Sequence, residues 1–239
     1  RHGKETRTTE KKKKTGSKMK IGTWNIQTMM QPGRMMEVAG ELKKFNFELI
    51  ALQKLRWKGN SKIDKKEFTL YYSGSEERSG LYGTGFMVSV NLRRSVINFI
   101  PLGERLNKIV LKGKFRNIII FSALAPTEEK TEEEKFEFYD KLEKECNKVP
   151  KYHMIVILGD FNAKIGKEQE TSIVAGKHSL HDETSDNGKM LINLASTNML
   201  IMSTFFEHKD IHKHTWKIPG SVSCNQIDHV LTNRQHFNK

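Results

Sequence analysis

The sequence predicts an α/β fold in which β-sheets pack together and helices cover their outer sides. About ten short runs rich in Ile, Val, Phe and Tyr are bounded by Gly, Asn or charged residues, which is typical of strands. Only three segments show helical periodicity, and several strands follow one another directly along the chain. Few helices and many sequential strands favour packed sheets with helices outside. The length of 239 residues fits one domain of this kind.

The predicted strands combine β-branched or aromatic residues with turn residues at their ends. None approaches the roughly 18 to 20 apolar residues that a membrane-spanning helix needs, so a membrane protein is excluded as a class. In chain order the strands are Lys20–Ile26, Phe47–Gln53, Phe68–Tyr72, Phe86–Val90, Ser95–Ile100, Lys108–Lys112, Asn117–Ala125, His153–Leu158, Leu200–Phe205 and Gln226–Leu231.

Three helices are predicted from apolar spacing and capping signals. Apolar residues recur at helical spacing over Met35–Phe45. Thr131 and Glu134 form a capping box ahead of the second helix. Ser185 or Asp186 can cap the third, whose apolar residues follow within two turns.

The charge is concentrated at the start of the chain. The formal net charge is +13, and the first twenty residues hold nine Lys or Arg against two acidic residues. Residues 1–18 show no apolar periodicity, so we expect a disordered basic arm, followed by a domain over residues 19–239. The run of Lys11, Lys12, Lys13 and Lys14 can serve as a nuclear signal or bind phosphate, and it can equally be a solvated leader.

The cysteine content favours an intracellular protein. Two cysteines, Cys146 and Cys224, cannot build a disulfide framework, which excludes a disulfide-stabilised secreted mini-protein. The regular apolar runs also exclude a fully disordered chain. With the basic arm, this predicts an intracellular and nuclear location.

Polar residues stand at the ends of three predicted strands. Asn25 closes the first, Asp160 and Asn162 follow the run that ends at Leu158, and Asp228 lies among apolar neighbours. Ligand crevices form at such sheet edges. A buried Asp needs a hydrogen-bond or charge partner. Taken singly, each residue can also be a turn residue or a satisfied core polar group.

Six stretches in one order resemble the endonuclease/exonuclease/phosphatase superfamily. Within it, the chain is most similar to the apurinic-endonuclease-like domains of RTE-type non-LTR retrotransposons and to the related craniofacial development protein 2-like sequences. The stretches are Lys20-Ile-Gly-Thr-Trp-Asn-Ile26, Ile50-Ala-Leu-Gln53 with Arg56-Trp57, Ala125-Pro-Thr-Glu128, Gly159-Asp-Phe-Asn-Ala163, His214-Thr-Trp216 and Asn225-Gln-Ile-Asp228.

The resemblance implies a four-layer α/β sandwich, with two packed mixed β-sheets flanked by helices, and hydrolysis of DNA phosphodiesters with Mg²⁺ or Mn²⁺. It assigns Asn25 to support of the metal cluster and Asp160 to orienting or deprotonating the attacking water. It assigns Asn162 to holding the scissile phosphate and Asp228 to fixing the tautomer of a catalytic His. Hard oxygen ligands and phosphate donors suit this chemistry.

The sequence departs from the family pattern at three places. Lys54 stands where the family has the metal-binding Glu, and an ammonium group cannot ligate Mg²⁺. Leu124 stands where the family has a phosphate-binding Tyr. The sequence to Lys239 contains no terminal Ser-Asp-His, so we expect a domain incomplete at its C-terminus. His229 cannot simply replace that His, because strand neighbours point to opposite faces.

Three functional hypotheses follow. The first is a retrotransposon-derived DNA endonuclease domain with impaired metal binding and catalysis. The second is a non-catalytic DNA-binding or protein-interaction module, and the third is a phosphoesterase acting on lipids or small phosphates. The positive charge favours double-stranded DNA, bound through its backbone without sequence preference, as the partner.

Overall fold

A computed structural model describes residues 18–77, 80–168, 173–217, 220 and 223–236 of the chain. Its centre is a pair of mixed β-sheets. The five-stranded sheet has the order β1-β2-β5-β4-β3, and the six-stranded sheet has the order β10-β13-β9-β8-β7-β6. The strands of the first sheet, in that order, are Ile21–Asn25, Leu49–Gln53, Thr84–Ser89, Phe68–Ser73 and Asn60–Asp64. Those of the second are Met199–Ile201, Asp228–Asn233, Met154–Asp160, Ile118–Leu124, Leu106–Leu111 and Val96–Pro101.

Four α-helices, three short 3-10 turns and a two-stranded ribbon complete the described elements. The helices are α1 (Arg34–Lys44), α2 (Val90–Arg93), α3 (Glu132–Asn147) and α4 (Asp186–Ser196). The ribbon pairs β11 (Trp216–Lys217) with β12 (Cys224–Asn225).

The layers follow from the alternation of side chains along the strands. In β2, Leu49 and Ala51 belong to the core between the sheets, whereas Ile50 and Leu52 belong to the core beneath α1. On the other side, α3 and α4 bury Leu142 and other apolar residues against the outer face of the larger sheet. The order is therefore α1, five-stranded sheet, six-stranded sheet, and α3 with α4.

Local signals in the sequence explain where the helices begin. Thr131 accepts from the backbone N–H of Glu134, and the Glu134 side chain accepts from the backbone N–H of Thr131, which completes the capping box. The hydroxyl of Ser185 accepts from Gly188 N, so Ser185 caps α4. Gly33 precedes α1 with a φ of 84°, a conformation that glycine adopts without strain.

Two parallel strand pairs bring the candidate residues to one edge. Strands β1 and β2 run parallel, as do β8 and β9. The carboxyl ends of β1 and β9 meet where the sheets face each other, because Asn25 Nδ2 donates to Asp160 Oδ2 across 2.7 Å. Strand β13 starts at the same edge, with Asp228 opposite Asp160 in the antiparallel register.

Buried polar contacts tie the two sheets together just beneath this edge. Gln53 Nε2 donates to Ser122 Oγ over 3.2 Å, and Ser122 Oγ donates to the carbonyl of Leu52 over 3.1 Å. Asn107 Nδ2 donates to Thr84 Oγ1 over 2.9 Å. Each bond joins one sheet to the other, so the sheets are held in a defined relative position below the site.

The fold class expected from the sequence is confirmed: two mixed sheets with helices. One predicted element is wrong in part. The segment Leu200–Phe205 was expected as a strand, but the strand is Met199–Ile201, and Met202–Thr204 form a 3-10 turn in which Thr204 Oγ1 donates to the carbonyl of Ile201. The Ile201 carbonyl is thus bonded within the turn.

Most of the predicted basic arm, including Lys11–Lys14, lies outside the described residues. Within the described part of the chain, no helix is both long enough and apolar enough to cross a membrane.

Candidate functional site

The candidate site lies at the edge where β1, β2, β9 and β13 meet. Asn25 is the last residue of β1, Lys54 directly follows β2, Asp160 is the last residue of β9, and Asp228 is the first of β13. Residues far apart in sequence thus lie together at one edge of the sheets.

Asp160 is the centre of the cluster, and its side chain is only 1% exposed. Its Oδ2 accepts from Asn25 Nδ2 at 2.7 Å and lies 3.4 Å from Lys54 Nζ. Its Oδ1 accepts from the backbone N–H of Asn162 at 3.1 Å. Hydrogen bonds and a cation of this kind stabilise a buried carboxylate.

The orientation of Asn25 is fixed by a second bond. Its Oδ1 accepts from the backbone N–H of Gln27 at 3.0 Å. The amide oxygen therefore faces the following turn, and the NH₂ group faces Asp160. Asn25 presents a donor to the centre of the site.

Lys54 is held at the site in an unusual backbone conformation. Its φ is 60°, in the left-handed region that non-glycine residues seldom adopt, and Arg56 two residues later has a φ of 65°. Leu55 between them is fixed by a hydrogen bond from its N–H to the carbonyl of Gly83, 3.1 Å long. The Lys54 side chain is 29% exposed, so its ammonium is open to solvent on one side while it pairs with Asp160 on the other.

Asp228 has an incompletely satisfied carboxyl group. Its Oδ1 is buried and has no hydrogen-bond partner within the described residues. Burial raises the pKa of Asp228 to about 7, with a further rise from the neighbouring Asp160 carboxylate, against lowering by Thr215 and Lys54. The sequence predicts a specific partner for this carboxyl: Thr215 forms a hydrogen bond with it, and Oδ1 has no partner among the described residues.

His229 points away from the cluster, as the strand alternation predicted. Its Nε2 donates to the carbonyl of Ala163 at 2.9 Å, which leaves Nδ1 to accept from Ser203 Oγ at 2.8 Å. Complete burial lowers the pKa of His229 to about 4. This imidazole is a neutral structural group in the core.

The residues at this edge do not fit a divalent metal ion. Both oxygens of Asp160 face donors, Asn25 presents an NH₂ group, and Lys54 supplies a cation, so Asp228 Oδ1 is the atom left for a ligand. Mg²⁺ needs several oxygen ligands. Across the described residues, no group of three or more His, Cys, Asp or Glu is placed to hold a metal.

The two residues assigned to phosphate binding by resemblance lie beside this cluster. Asn162 has a φ of 48° and donates from Nδ2 to the carbonyl of Ala125 at 2.9 Å. Leu124 is the last residue of β8 and is buried, so it offers an aliphatic side chain at the position where the family has a phenol.

Sequence reasoning missed two residues here, Tyr82 and Arg105. The Arg105 guanidinium lies 3.7 Å from the centre of the Tyr82 ring. Its Nη1 donates to the carbonyls of Leu124 and Ala125 at 3.4 and 3.5 Å. Both residues are in loops whose composition gives no signal of this contact.

Two curated proteins share sequence similarity with this chain. Craniofacial development protein 2 of Bos taurus is 28% identical over 212 residues, and its counterpart in Tragulus javanicus is 27% identical over the same length. The match covers 88% of this chain but only 35% and 36% of those proteins. The chain thus spans about a third of the length of these relatives. No protein-family model matches the chain.

Solved structures share the fold at low sequence identity. An endonuclease/exonuclease/phosphatase family protein from Leptotrichia buccalis superposes with a TM-score of 0.59 and 15% identity, covering 90% of this chain and 88% of that one. An AP endonuclease from Archaeoglobus fulgidus superposes with a TM-score of 0.66 and 15% sequence identity. The match covers 91% of this chain and 88% of that one.

The endonuclease domain of TRAS1, a telomere-specific non-LTR retrotransposon, gives a TM-score of 0.59 and 12% identity, covering 91% of this chain and 86% of that domain. The resemblance inferred from the six sequence stretches is therefore confirmed at the level of the fold. The chain has the two-sheet α/β fold of endonuclease/exonuclease/phosphatase proteins.

Proposed function

We propose that this chain is a DNA-binding domain descended from a non-LTR retrotransposon endonuclease, and that it has lost divalent-metal-dependent hydrolysis. The observation that carries the proposal is the 3.4 Å separation of Lys54 Nζ from Asp160 Oδ2. It places a lysine ammonium group in the cluster that the family resemblance assigns to the metal.

Electrostatics explains why this lysine opposes a metal ion. Two unit charges 4 Å apart interact by about 4 kcal/mol at an effective dielectric constant near 20. A dication beside Lys54 would meet about twice that repulsion. Removal of Lys54 from the cluster would also leave Asp160 without its cation.

The same residues are suited to bind the phosphate backbone of DNA. Lys54 offers ammonium donors on its open side, and Asn162 offers an amide at the adjoining strand end. The chain carries a net charge of +13. Such an excess of positive charge favours salt-dependent binding to the phosphate backbone of duplex DNA. The names of the similar solved proteins, an AP endonuclease and a retrotransposon endonuclease, support DNA as the polymer. A nuclear location for the chain is part of this proposal, through Lys11–Lys14.

The test combines a nicking assay with a binding assay. We expect the purified chain to bind labelled duplex DNA with a chelator present. We also expect it to leave supercoiled plasmid intact with Mg²⁺ or Mn²⁺. Asp160→Asn is the matched control for a contaminating nuclease, because it changes a buried residue of the site and leaves the protein surface unchanged. Metal-dependent nicking that Asp160→Asn abolishes would contradict the loss of hydrolysis, and absence of DNA binding by the chain would contradict the proposal as a whole.

A further inference from the structure

The Arg105 side chain is fixed in position by three neighbouring groups. Its guanidinium stacks on the Tyr82 ring, with 3.7 Å from Cζ to the ring centre. Its Nη1 donates to the carbonyls of Leu124 and Ala125. Stacking and carbonyl contacts hold the plane of the guanidinium, so little conformational entropy remains to be lost when it binds a ligand.

The loops that carry this pair are themselves anchored. The N–H of Arg56 donates to the carbonyl of Tyr82 at 2.6 Å, and the N–H of Gly83 donates to the carbonyl of Glu104 at 3.0 Å. The N–H of Leu124 donates to the carbonyl of Arg105 at 2.9 Å. These bonds connect the two loops to each other and to the end of β8, which places Arg105 at the edge of the candidate site.

Arg105 and Asn162 donate hydrogen bonds to the same carbonyl oxygen. The carbonyl oxygen of Ala125 accepts from Arg105 Nη1 at 3.5 Å and from Asn162 Nδ2 at 2.9 Å. The guanidinium and the amide therefore approach one point from two sides. The two donor nitrogens therefore lie beside the same carbonyl oxygen.

Most of the Arg105 donors remain available. A guanidinium has five N–H groups, and Nη1 makes the hydrogen bonds seen here. Among the described residues, none of the salt bridges involves Arg105. Three acids, Glu104, Glu134 and Glu137, line the same cavity as Arg105. Of these, the Glu134 carboxylate is already bound to Lys130 Nζ at 3.2 Å, which lowers the pKa of Glu134. Arg105 is thus a half-buried, oriented cation without an ionic partner of its own.

We infer that Arg105, oriented by Tyr82, binds a backbone phosphate of DNA next to the one that Asn162 and Lys54 reach. The inference rests on the proposed function. It accounts for phosphate recognition at a site where Leu124 offers no hydroxyl: the arginine that caps the Leu124 carbonyl supplies donors in its place. A planar guanidinium suits the two oxygens of a phosphodiester.

The test is a salt titration of labelled duplex DNA binding with a chelator present. Arg105→Gln should lower the slope of log affinity against log salt by about 0.9, the value for one phosphate contact. It should also weaken binding about tenfold. Arg94→Gln is the matched control, because it removes the same charge from an exposed position after α2, at the opposite end of the sheet.

Two further variants separate binding from folding. Arg105→Lys should keep the slope but weaken binding severalfold, because an ammonium keeps the charge and lacks the planar fork. Tyr82→Leu should also weaken binding while melting as wild type does, since it removes only the stacking surface. If Arg105→Gln fails to fold, these two variants decide, and wild-type affinity in both overturns the inference.

The outcomes also separate this inference from the proposed function. Wild-type slope and affinity in folded Arg105→Gln would overturn the role of Arg105 while DNA binding stands. Failure of the unmodified chain to bind DNA would overturn both.

Discussion

Asp160 and Asp228 lie directly opposite each other on neighbouring antiparallel strands, β9 and β13. Residues paired in this way point to the same face of the sheet. Lys54 compensates Asp160, whereas Asp228 Oδ1 has no described partner. Burial of the Asp228 carboxyl, and next the Asp160 carboxylate beside it, raise the pKa of Asp228 to about 7.

Replacement of Asp228 by Asn should change how stability depends on pH. The folded-state pKa is about 7 and the unfolded value about 3.8, so the folded protein binds more protons between these values. The contribution of Asp228 to the free energy of unfolding of the wild type therefore falls as the pH rises from about 4 to about 7. Relative to wild type, Asp228→Asn should gain about 1–4 kcal/mol over that window. Urea unfolding of both proteins at several pH values measures the difference.

The control for this prediction is Asp64→Asn. A hydrogen bond with Lys62 lowers the pKa of Asp64, so its contribution is present above the unfolded pKa and is lost in acid. Asp64→Asn should therefore lose stability relative to wild type as pH rises, the opposite sign. A parallel pH profile for Asp228→Asn and wild type would show that Asp228 is ionised in the folded protein at neutral pH.

Lys54→Glu should create affinity for a divalent ion. The change replaces the ammonium near Asp160 by a carboxylate, and it gives the cluster three carboxyl groups with Asp228. We expect calorimetry with Mn²⁺ to detect binding in the variant and none in wild type. Turnover should stay low, because Leu124 still occupies the position where the family has a phosphate-binding Tyr.

Lys112→Glu is the matched control for metal binding. Lys112 is exposed and follows the far end of β7, so it undergoes the same charge change away from the site. Equal heats of Mn²⁺ binding for Lys54→Glu and Lys112→Glu would mean that position 54 is not part of a metal-binding cluster.

The sequence predicted the strand-end residues because their signal is local. An apolar run followed by Asp160 or preceded by Asp228 is visible in a few residues, and sheet topology then brings such ends together. Burial of Asp160 and the turned amide of Asn25 depend on contacts between strands that are far apart in sequence. These contacts follow from the assembled sheets.

Other features left no local signal. Strand β3 (Asn60–Asp64) is mostly exposed and polar, so its composition does not resemble that of a strand, and it forms by pairing with β4. The contact of Arg105 with Tyr82 joins two loops separated by two strands, β5 and β6, and by the short helix α2. Sequence spacing cannot predict such a pair, because only the folded sheets bring the loops together.

Two glycine substitutions should have opposite effects on stability. A Cβ at Gly159 would lie 2.1 Å from the carbonyl oxygen of Ala123 on the paired strand β8, so Gly159→Ala must push β9 from β8. We expect a loss of about 1–3 kcal/mol. Gly40 lies exposed within α1 with open space around it, and Gly40→Ala should add about 1 kcal/mol.

Thermal melting of Gly159→Ala and Gly40→Ala beside wild type measures both effects, each variant serving as the control for the other. Unchanged melting of Gly159→Ala would mean that the two central strands can separate without cost at this point. That result would argue against close parallel pairing of β8 and β9 beneath the site.

Removal of the basic arm should reduce the salt dependence of DNA binding without changing sequence preference. A version that starts at Lys18 loses seven of the nine cations in the first twenty residues, together with two acidic residues. Each phosphate contact contributes about −0.9 to the slope of log affinity against log salt. Not all cations engage together, so we expect the slope to flatten by about three to six. A chain of full length with Lys11–Lys14 replaced by Gln is the matched control, because it keeps the arm and removes its densest charge. It should show at least half of the effect, and equal slopes for all three proteins would make the arm a solvated leader that does not contact DNA.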